Sequence, residues 1–381
     1  MISFWEQQTF LNYDIIIVGS GIVGLSAACS ILEKNPSAKV LILERGIFPT
    51  GASTKNAGFA CYGSASELLE DIKLMGESKT LQLVQMRKAG LDMLRHRLSD
   101  HAIDYLEYGG GEFIFKNELF NVNALEGLNN MLLPIFGKNV FEMDANKGAH
   151  HGFNTQEVSH FIENKVEGQI DPGKMMDSLI KYATALGCKI ITGCEVVEFD
   201  DAGTHVLIGA NHHVLSETIY FKAQQCIVCT NAFTPNLVKP IDIKPGRGQV
   251  LATKPIKNLP FKGIFHFSHG YYYFRNFGNR IIFGGGRNMD FDKEASDEFK
   301  LNTEIQERLD YYLKNLIIPQ IDYEVETRWA GIMAFGSQKL PIVEYISANV
   351  IIACRMSGMG IALGSWVGQE VYRLLNEKQV V

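Results

Sequence analysis

Tyr13-Asp14-Ile15-Ile16-Ile17-Val18-Gly19-Ser20-Gly21-Ile22-Val23-Gly24 carries the strongest signal in the chain. A short apolar run passes directly into closely spaced glycines, and a helix-like segment follows to about Lys34. A second apolar run, Val40-Leu41-Ile42-Leu43, ends at Glu44-Arg45, with Glu44 twenty residues beyond Gly24. This is the strand–turn–helix–strand pattern of a dinucleotide-binding unit, and each part has a physical reason. Gly19 permits the tight turn, Gly21 lets backbone approach a pyrophosphate, and Gly24 lets helix and strand pack closely. The helix start at Ile22-Val23 then presents unpaired N–H groups and a positive dipole end to phosphate. Glu44 stands where a carboxylate can accept hydrogen bonds from ribose hydroxyls.

A second strand-to-helix turn lies near the other end. The apolar run Val350–Cys354 leads into Arg355-Met356-Ser357-Gly358-Met359-Gly360-Ile361 and a final helix to about Asn376. It begins about 340 residues after the first turn, and it reads as a second backbone approach to the same large cofactor. Between the two turns, 68–98 reads as one long helix or two, 103–120 as strand-like, and 173–187 as an amphipathic helix. The segments 188–192, 195–199, 245–253 and 264–287 read as strands, and 298–315 as helix. A strand, a hairpin and another strand carry the chain to Cys229.

With 381 residues the chain is long enough for two domains or one discontinuous fold. A net charge of −6 argues against a nucleic-acid partner, because no basic excess exists to neutralise phosphates. No segment approaches the roughly 20 apolar residues needed to span a bilayer. Met1–Asn12 lacks a basic start and a long apolar core, so it does not read as a signal peptide; Phe4, Trp5 and Phe10 are expected to pack on the first domain. Seven cysteines, most in apolar surroundings, fit reduced thiols and a cytoplasmic location. Cys226 and Cys229 read as part of a buried strand, with no second ligand pair for a metal.

Taken with Gly51-Ala52-Ser53-Thr54-Lys55-Asn56-Ala57-Gly58, Gly168-Gln169-Ile170-Asp171-Pro172, Cys229-Thr230-Asn231-Ala232, Gly284-Gly285-Gly286-Arg287 and Trp329-Ala330-Gly331, the two turns give nearly the whole chain a family look. It resembles the D-amino-acid-oxidase-type FAD-dependent oxidoreductases, the group that includes glycine oxidase, sarcosine oxidase and D-amino-acid dehydrogenase. The resemblance implies an α/β fold: a discontinuous, Rossmann-like FAD-binding domain (1–88, 151–240 and 326–381) and a substrate domain (89–150 and 241–325) built on a mostly antiparallel sheet with helices. It implies FAD at Gly19–Gly24 (pyrophosphate) and Glu44 (adenosine ribose), with Arg45 beside it. Ser53, Thr54, Asn56, Ala57 and Gly58 would run past the phosphates toward the isoalloxazine. Val196 or Val197 would meet the adenine edge, Thr230, Asn231 and Ala232 the ribityl chain, and Gly331 the flavin side of the sheet. Ser357, Gly358, Met359, Gly360 and Ile361 would aim N–H groups at the flavin O2 edge, where negative charge gathers on reduction.

Two departures from the family pattern stand out. Met333 occupies the position where amino-acid-oxidising members often carry an arginine for the substrate carboxylate. The region around Ala334 has no cysteine, so FAD is expected to be noncovalent. Arg287, Arg275 and Arg247 are candidates for a replacement cation, with Tyr273 on the same face as Arg275. Histidines 150, 151, 266 and 269 are expected to be structural. The expected activity is hydride transfer from a small amine or amino acid to flavin N5. The alternatives are a 2-hydroxy acid as donor, or a flavin-binding protein without a small-molecule substrate. Oxygen, a quinone or another carrier would accept the electrons; an apolar Ile282, where sarcosine-oxidase-like members carry a lysine, leans the expectation toward a dehydrogenase.

Overall fold

The apolar run around Ile15-Ile16-Ile17 becomes the strand Asn12–Val18 at the centre of a parallel arrangement. A central parallel strand is covered on both faces, so it needs apolar side chains at consecutive positions. Ile16 and Ile17 are both fully buried and enter two different apolar clusters, one on each side of the sheet. The computed structural model describes residues 1–144, 147–212 and 216–379. Here Asn12–Val18 pairs in parallel with Val40–Leu43 and Glu217–Val228. Lys189–Ile191 extends the sheet on one side, and Val350–Cys354 then Ile342–Tyr345 on the other. Val206–His212 pairs antiparallel with Glu217–Val228 and carries Val196–Asp201, which completes eight strands. The turn of the expected hairpin, at 213–215, lies outside the described residues.

Helices Ile22–Lys34, Glu77–Leu98 and Gly360–Gln379 share one apolar cluster on a face of this sheet. The last crosses the other two at glycines. A Cβ on Gly368 would lie 2.5 Å from the Ser26 carbonyl carbon, and one on Gly90 would lie 2.1 Å from the Ala362 oxygen. Missing side chains at the crossings set how near the backbones come, and they fix the start of Gly360–Gln379 against the first glycine turn.

The second sheet also has eight strands, ordered Val325–Phe335, Lys244–Thr253, Arg280–Gly285, Tyr272–Phe277, Ile264–Phe267, Gly110–Phe115, Val158–Asn164 and Phe141–Met143. Its pairings are antiparallel except that of Ile264–Phe267 with Gly110–Phe115. One face is an aromatic core containing Phe113, Phe265, Phe267, Phe274 and Phe283, closed by Ile305 and Leu309 of the helix Thr303–Tyr312. Strand periodicity then turns Tyr273, Arg275, His266 and Glu112 to the opposite face, toward the first sheet.

Two expectations change. Val158–Asn164 and Val325–Phe335 pair in the second sheet, although the expected boundaries assign 158–164 and 326–335 to the cofactor domain. The 264–287 region, expected as antiparallel strands, forms three of them, with turns at 268–271 and 278–279. Phe4, Trp5 and Phe10 do not pack: the helix Phe4–Phe10 buries no residue, and Trp5 is 75% exposed. That helix is held by polar contacts instead, a capping box between Ser3 and Glu6 and a bond from Asn12 Nδ2 to the Gln7 carbonyl.

Candidate active site

The first glycine turn is defined by two close approaches. Gly19 has φ +102°, and a Cβ on Gly24 would lie 2.0 Å from the Gly19 oxygen, so helix and turn touch through bare backbone. Gly21 is the N-cap of Ile22–Lys34, with ordinary extended geometry (φ −68°, ψ 177°), and a Cβ there would meet only Ser53 Oγ at 3.2 Å. The glycine at 21 is therefore not required by crowding within the protein; it leaves the space in front of the helix N-terminus clear. Ser53 Oγ accepts from the Ile22 N–H at 2.9 Å. Glu44 Oε2 accepts from the Ser20 N–H (2.9 Å) and Oγ (2.7 Å), and Oε1 accepts from the Gly46 N–H (2.9 Å). Its carboxylate thus braces the turn it was expected only to serve, and it retains lone-pair sites for a ligand hydroxyl.

A cavity of about 620 Å³ opens from this turn. Gly19, Gly21, Ile22, Val23, Glu44 and Arg45 line one end. Ser53, Asn56 and Ala57 follow on one wall, and Val196, Thr230 and Asn231 on another. Gly331, Tyr273 and Arg287 line the far end, and Ser357 through Ile361 border it from the second turn. Six expected residues do not face the cavity. Ser20 turns to Glu44, Gly24 is pressed on Gly19, Thr54 donates to the Pro49 carbonyl, Val197 is exposed, Ala232 is buried in a small apolar cluster, and Gly58 packs on Arg275. Asn56 faces the cavity but spends its side chain on its own loop, donating to the Ala52 and Ser53 carbonyls and accepting from the Gly58 N–H at 2.8 Å.

At the second turn, positive φ at Arg355 (+66°), Ser357 (+49°) and Gly358 (+87°) brings the chain round sharply before Gly360–Gln379 begins. The first backbone bond into this helix comes from Leu363 to the Met359 carbonyl at 3.0 Å. The Gly360 and Ile361 N–H groups find no protein acceptor among the described residues, as at any uncapped helix start. They border the cavity and are available to a negative edge there.

The three arginine candidates separate cleanly. Arg247 is committed to Glu294, with Nη2 and Nε at 2.8 and 2.9 Å from its two carboxylate oxygens. Arg275 is buried against backbone carbonyls and does not line the cavity. Arg287 lines it, and its guanidinium has no ion pair or hydrogen bond among the described residues; it lies over Phe335, 4.0 Å from the ring centroid. Burial pulls the Arg287 pKa down, and burial pushes that of Tyr273 up to about 12, so at neutral pH the tyrosine is a hydroxyl. Met333 stands between them and the second turn, its methyl within 2.9 Å of where a Gly248 Cβ would be.

His266 is expected from the sequence to be structural. It lines the cavity, its ring packs edge-on to Phe59, and its Nε2 lies 3.7 Å from Glu167 Oε2, an ion-pair separation rather than a hydrogen bond. Burial alone would lower its pKa, but Glu167, Glu112 and Glu67 outweigh that and raise it. The signal was in strand phase: His266 is paired with Tyr273 on one side and Glu112 on the other. Cys61 also lines the cavity. Burial first, then Glu167 and Glu67, push its thiol pKa well up, which leaves little thiolate to attack a cofactor.

A cavity with a Cβ-free approach to a helix N-terminus at one end and unpaired N–H groups near the other fits an adenine dinucleotide bearing a flavin. Comparison agrees. Residues 14–374 match the family model described as FAD dependent oxidoreductase (DAO), and the chain belongs to that family. FAD is its cofactor, and the protein is a flavin-dependent oxidoreductase. Among curated proteins it is 24% identical to "Probable oxidoreductase OrdL" of Haemophilus influenzae over 376 residues, covering 94% of this chain and 81% of the relative. Among solved structures it is similar to L-proline dehydrogenase from P. horikoshii (TM-score 0.76, 17% identity, 97% and 94% of the two chains). It is also similar to glycine oxidase from Geobacillus kaustophilus (TM-score 0.76, 18% identity, 96% and 95%). No helix among the described residues is long and apolar enough to cross a membrane.

Proposed function

We propose that the protein oxidises a small amino acid, with Arg287 holding the donor's carboxylate. The observation that carries this is the state of Arg287: a cavity-lining, largely buried guanidinium with no anionic partner among the described residues. A buried cation without a partner is costly, and a bidentate carboxylate offsets that cost. When bound, the flavin accepts hydride from the donor carbon. Tyr273, kept neutral by burial, offers a hydroxyl to the donor's polar end. Phe335 and Met333 exclude water around it, and the Gly360 and Ile361 N–H groups stabilise charge gathering on the flavin edge. Noncovalent attachment of FAD belongs to the same proposal, supported by the protonated state of Cys61. Glycine oxidase and L-amino acid deaminase, whose structures resemble this one, are named for amino acids, which supports the donor class.

Met333 favours one second reading, an amine without a carboxylate, because an apolar residue fills the position expected to hold a cation. Anaerobic bleaching of the flavin separates them. Amino acids should bleach it, and Arg287→Met should slow bleaching while leaving the visible spectrum intact. Bleaching by simple amines, unaffected by Arg287→Met, would establish the second reading. Bleaching by 2-hydroxy acids alone would reassign the donor, and no bleaching by any of the three classes would refute the enzyme reading.

A further inference from the structure

Arg275 is 3% exposed and has no carboxylate within ion-pair distance among the described residues. Its partners are neutral carbonyls: Nε donates to Ala57, Nη2 to Ile170 at 2.9 Å, and Nη1 to Asn276 at 3.2 Å. Burial pulls its pKa down to about 10, with Asp171 a small opposing influence, so it remains charged at neutral pH. Carbonyl dipoles solvate a buried charge but do not cancel it. The backbone is shaped around this group. Gly58 has φ +79°, and a Cβ there would lie 2.4 Å from both Arg275 Nη2 and the Ile170 oxygen, so only glycine admits the guanidinium. Ala57, whose carbonyl it holds, lines the cofactor cavity, as do Gly331 and Met359. The cation therefore sits one backbone thickness behind the cavity wall. Ile282, whose apolar side chain leans the expectation toward a dehydrogenase, is the direct cross-strand partner of Arg275.

We propose that Arg275 is a fixed positive charge acting on the bound flavin, favouring its reduced, negatively charged form over the oxidised one. A charge held in a low-dielectric wall acts over several ångströms with little screening, and it needs no reorganisation when negative charge arrives. A loop clip alone would not require a charge: a neutral donor could hold the Ala57 and Ile170 carbonyls without the burden of burying one. The inference rests on flavin binding and is independent of the donor's identity.

The test is the equilibrium between oxidised and reduced flavin in the FAD-loaded protein, measured against a reference dye, together with the affinity for sulfite, which adds to flavin to give an anionic adduct. Arg275→Met should shift the equilibrium toward oxidised flavin roughly tenfold, a fall of about 30 mV for a two-electron couple. It should weaken sulfite binding by a similar factor, and Arg275→Lys should restore most of both. Ile282→Glu keeps the carbonyl contacts but places a carboxylate opposite the guanidinium, and it should lower the potential as the methionine does. If Arg275→Met retains FAD at the wild-type potential and sulfite affinity, the proposal fails and Arg275 is a clip. If Arg275→Met does not hold FAD, a wild-type potential in Ile282→Glu overturns the proposal equally.

Discussion

Gly21→Ala and Gly24→Ala each add one methyl group, three residues apart, and the local geometry gives them opposite consequences. At Gly21 the backbone is extended and the nearest heavy atom to a new Cβ is Ser53 Oγ at 3.2 Å. Alanine is a poorer N-cap than glycine by some tenths of a kcal/mol to about 1, while the stiffer unfolded chain returns about 0.4–1 kcal/mol. The stability of the FAD-free protein should therefore stay within about 1 kcal/mol of wild type. At Gly24 the new Cβ would lie 2.0 Å from the Gly19 oxygen, a contact between two backbones that no rotamer change relieves. The helix-propensity gain of about 1 kcal/mol is outweighed by overpacking at the upper end of its usual range of about 1–3 kcal/mol, so the FAD-free protein should lose about 2 kcal/mol. The cofactor response reverses the order. FAD at a hundred times its dissociation constant adds about 2.7 kcal/mol of apparent stability. A methyl group in front of the helix N-terminus, where pyrophosphate is proposed to sit, should remove at least half of that in Gly21→Ala. Urea unfolding of stripped protein, with and without added FAD, measures both quantities. Equal losses in the two FAD-free variants, or an undiminished FAD response in Gly21→Ala, would refute the assignment of Gly21 to the ligand and Gly24 to the fold.

Arg287→Met should change stability by no more than about 2 kcal/mol, since aromatic contacts are what it gives up, yet slow donor-dependent bleaching strongly; loss of FAD or of the fold in this variant would make Arg287 structural. Arg247→Met should instead cost about 3–5 kcal/mol in urea unfolding, because it strands the fully buried Glu294. For His266 the folded pKa lies above its usual value of 6.5, so the stabilisation it draws from Glu167, Glu112 and Glu67 is complete below pH 6.5 and fades as pH rises through the folded pKa. The stability gap between wild type and His266→Gln should narrow from pH 6 to higher pH, and a gap that widens would show that the imidazole is neutral when folded. Acid denaturation should release FAD intact; flavin retained on the unfolded chain would show a covalent link.

The cofactor half of the cavity was legible in the sequence because its determinants are local. A glycine turn, the helix that follows and the acidic end of the next strand fall within residues 13–44, where spacing alone dictates geometry. What spacing could not give is how each side chain is shared between ligand and fold. Glu44 and Asn56 were read as ligand contacts, yet their oxygens brace Ser20, Gly46 and Gly58. Such bracing depends on loops meeting in space, for which a single sequence has no periodic signal. The N-terminal helix failed for a related reason: Phe4, Trp5 and Phe10 are apolar, but a seven-residue helix fixed by its own cap need not reach a core.

The donor half was less legible because it is written across strands rather than along them. Glu112, His266, Tyr273 and Gly284 lie in one lateral row of the second sheet, drawn from four strands and more than 170 residues of chain. Alternation within Tyr272–Phe277 told that Tyr273 and Arg275 share a face, but not which of them the register would bring to the cavity. The row settles this through size. Gly284 carries no side chain, and a Cβ there would lie 2.7 Å from the Tyr273 ring, so the tyrosine lies over the glycine toward Gly248 and the cavity. Two residues farther along the same strand, the corresponding neighbour is Ile282, whose bulk leaves no such space, and Arg275 turns instead to the Ala57 and Ile170 carbonyls. One glycine-to-isoleucine step in a neighbouring strand thus divides the polar groups of this face between a hydroxyl that faces the cavity and a charge held behind its wall.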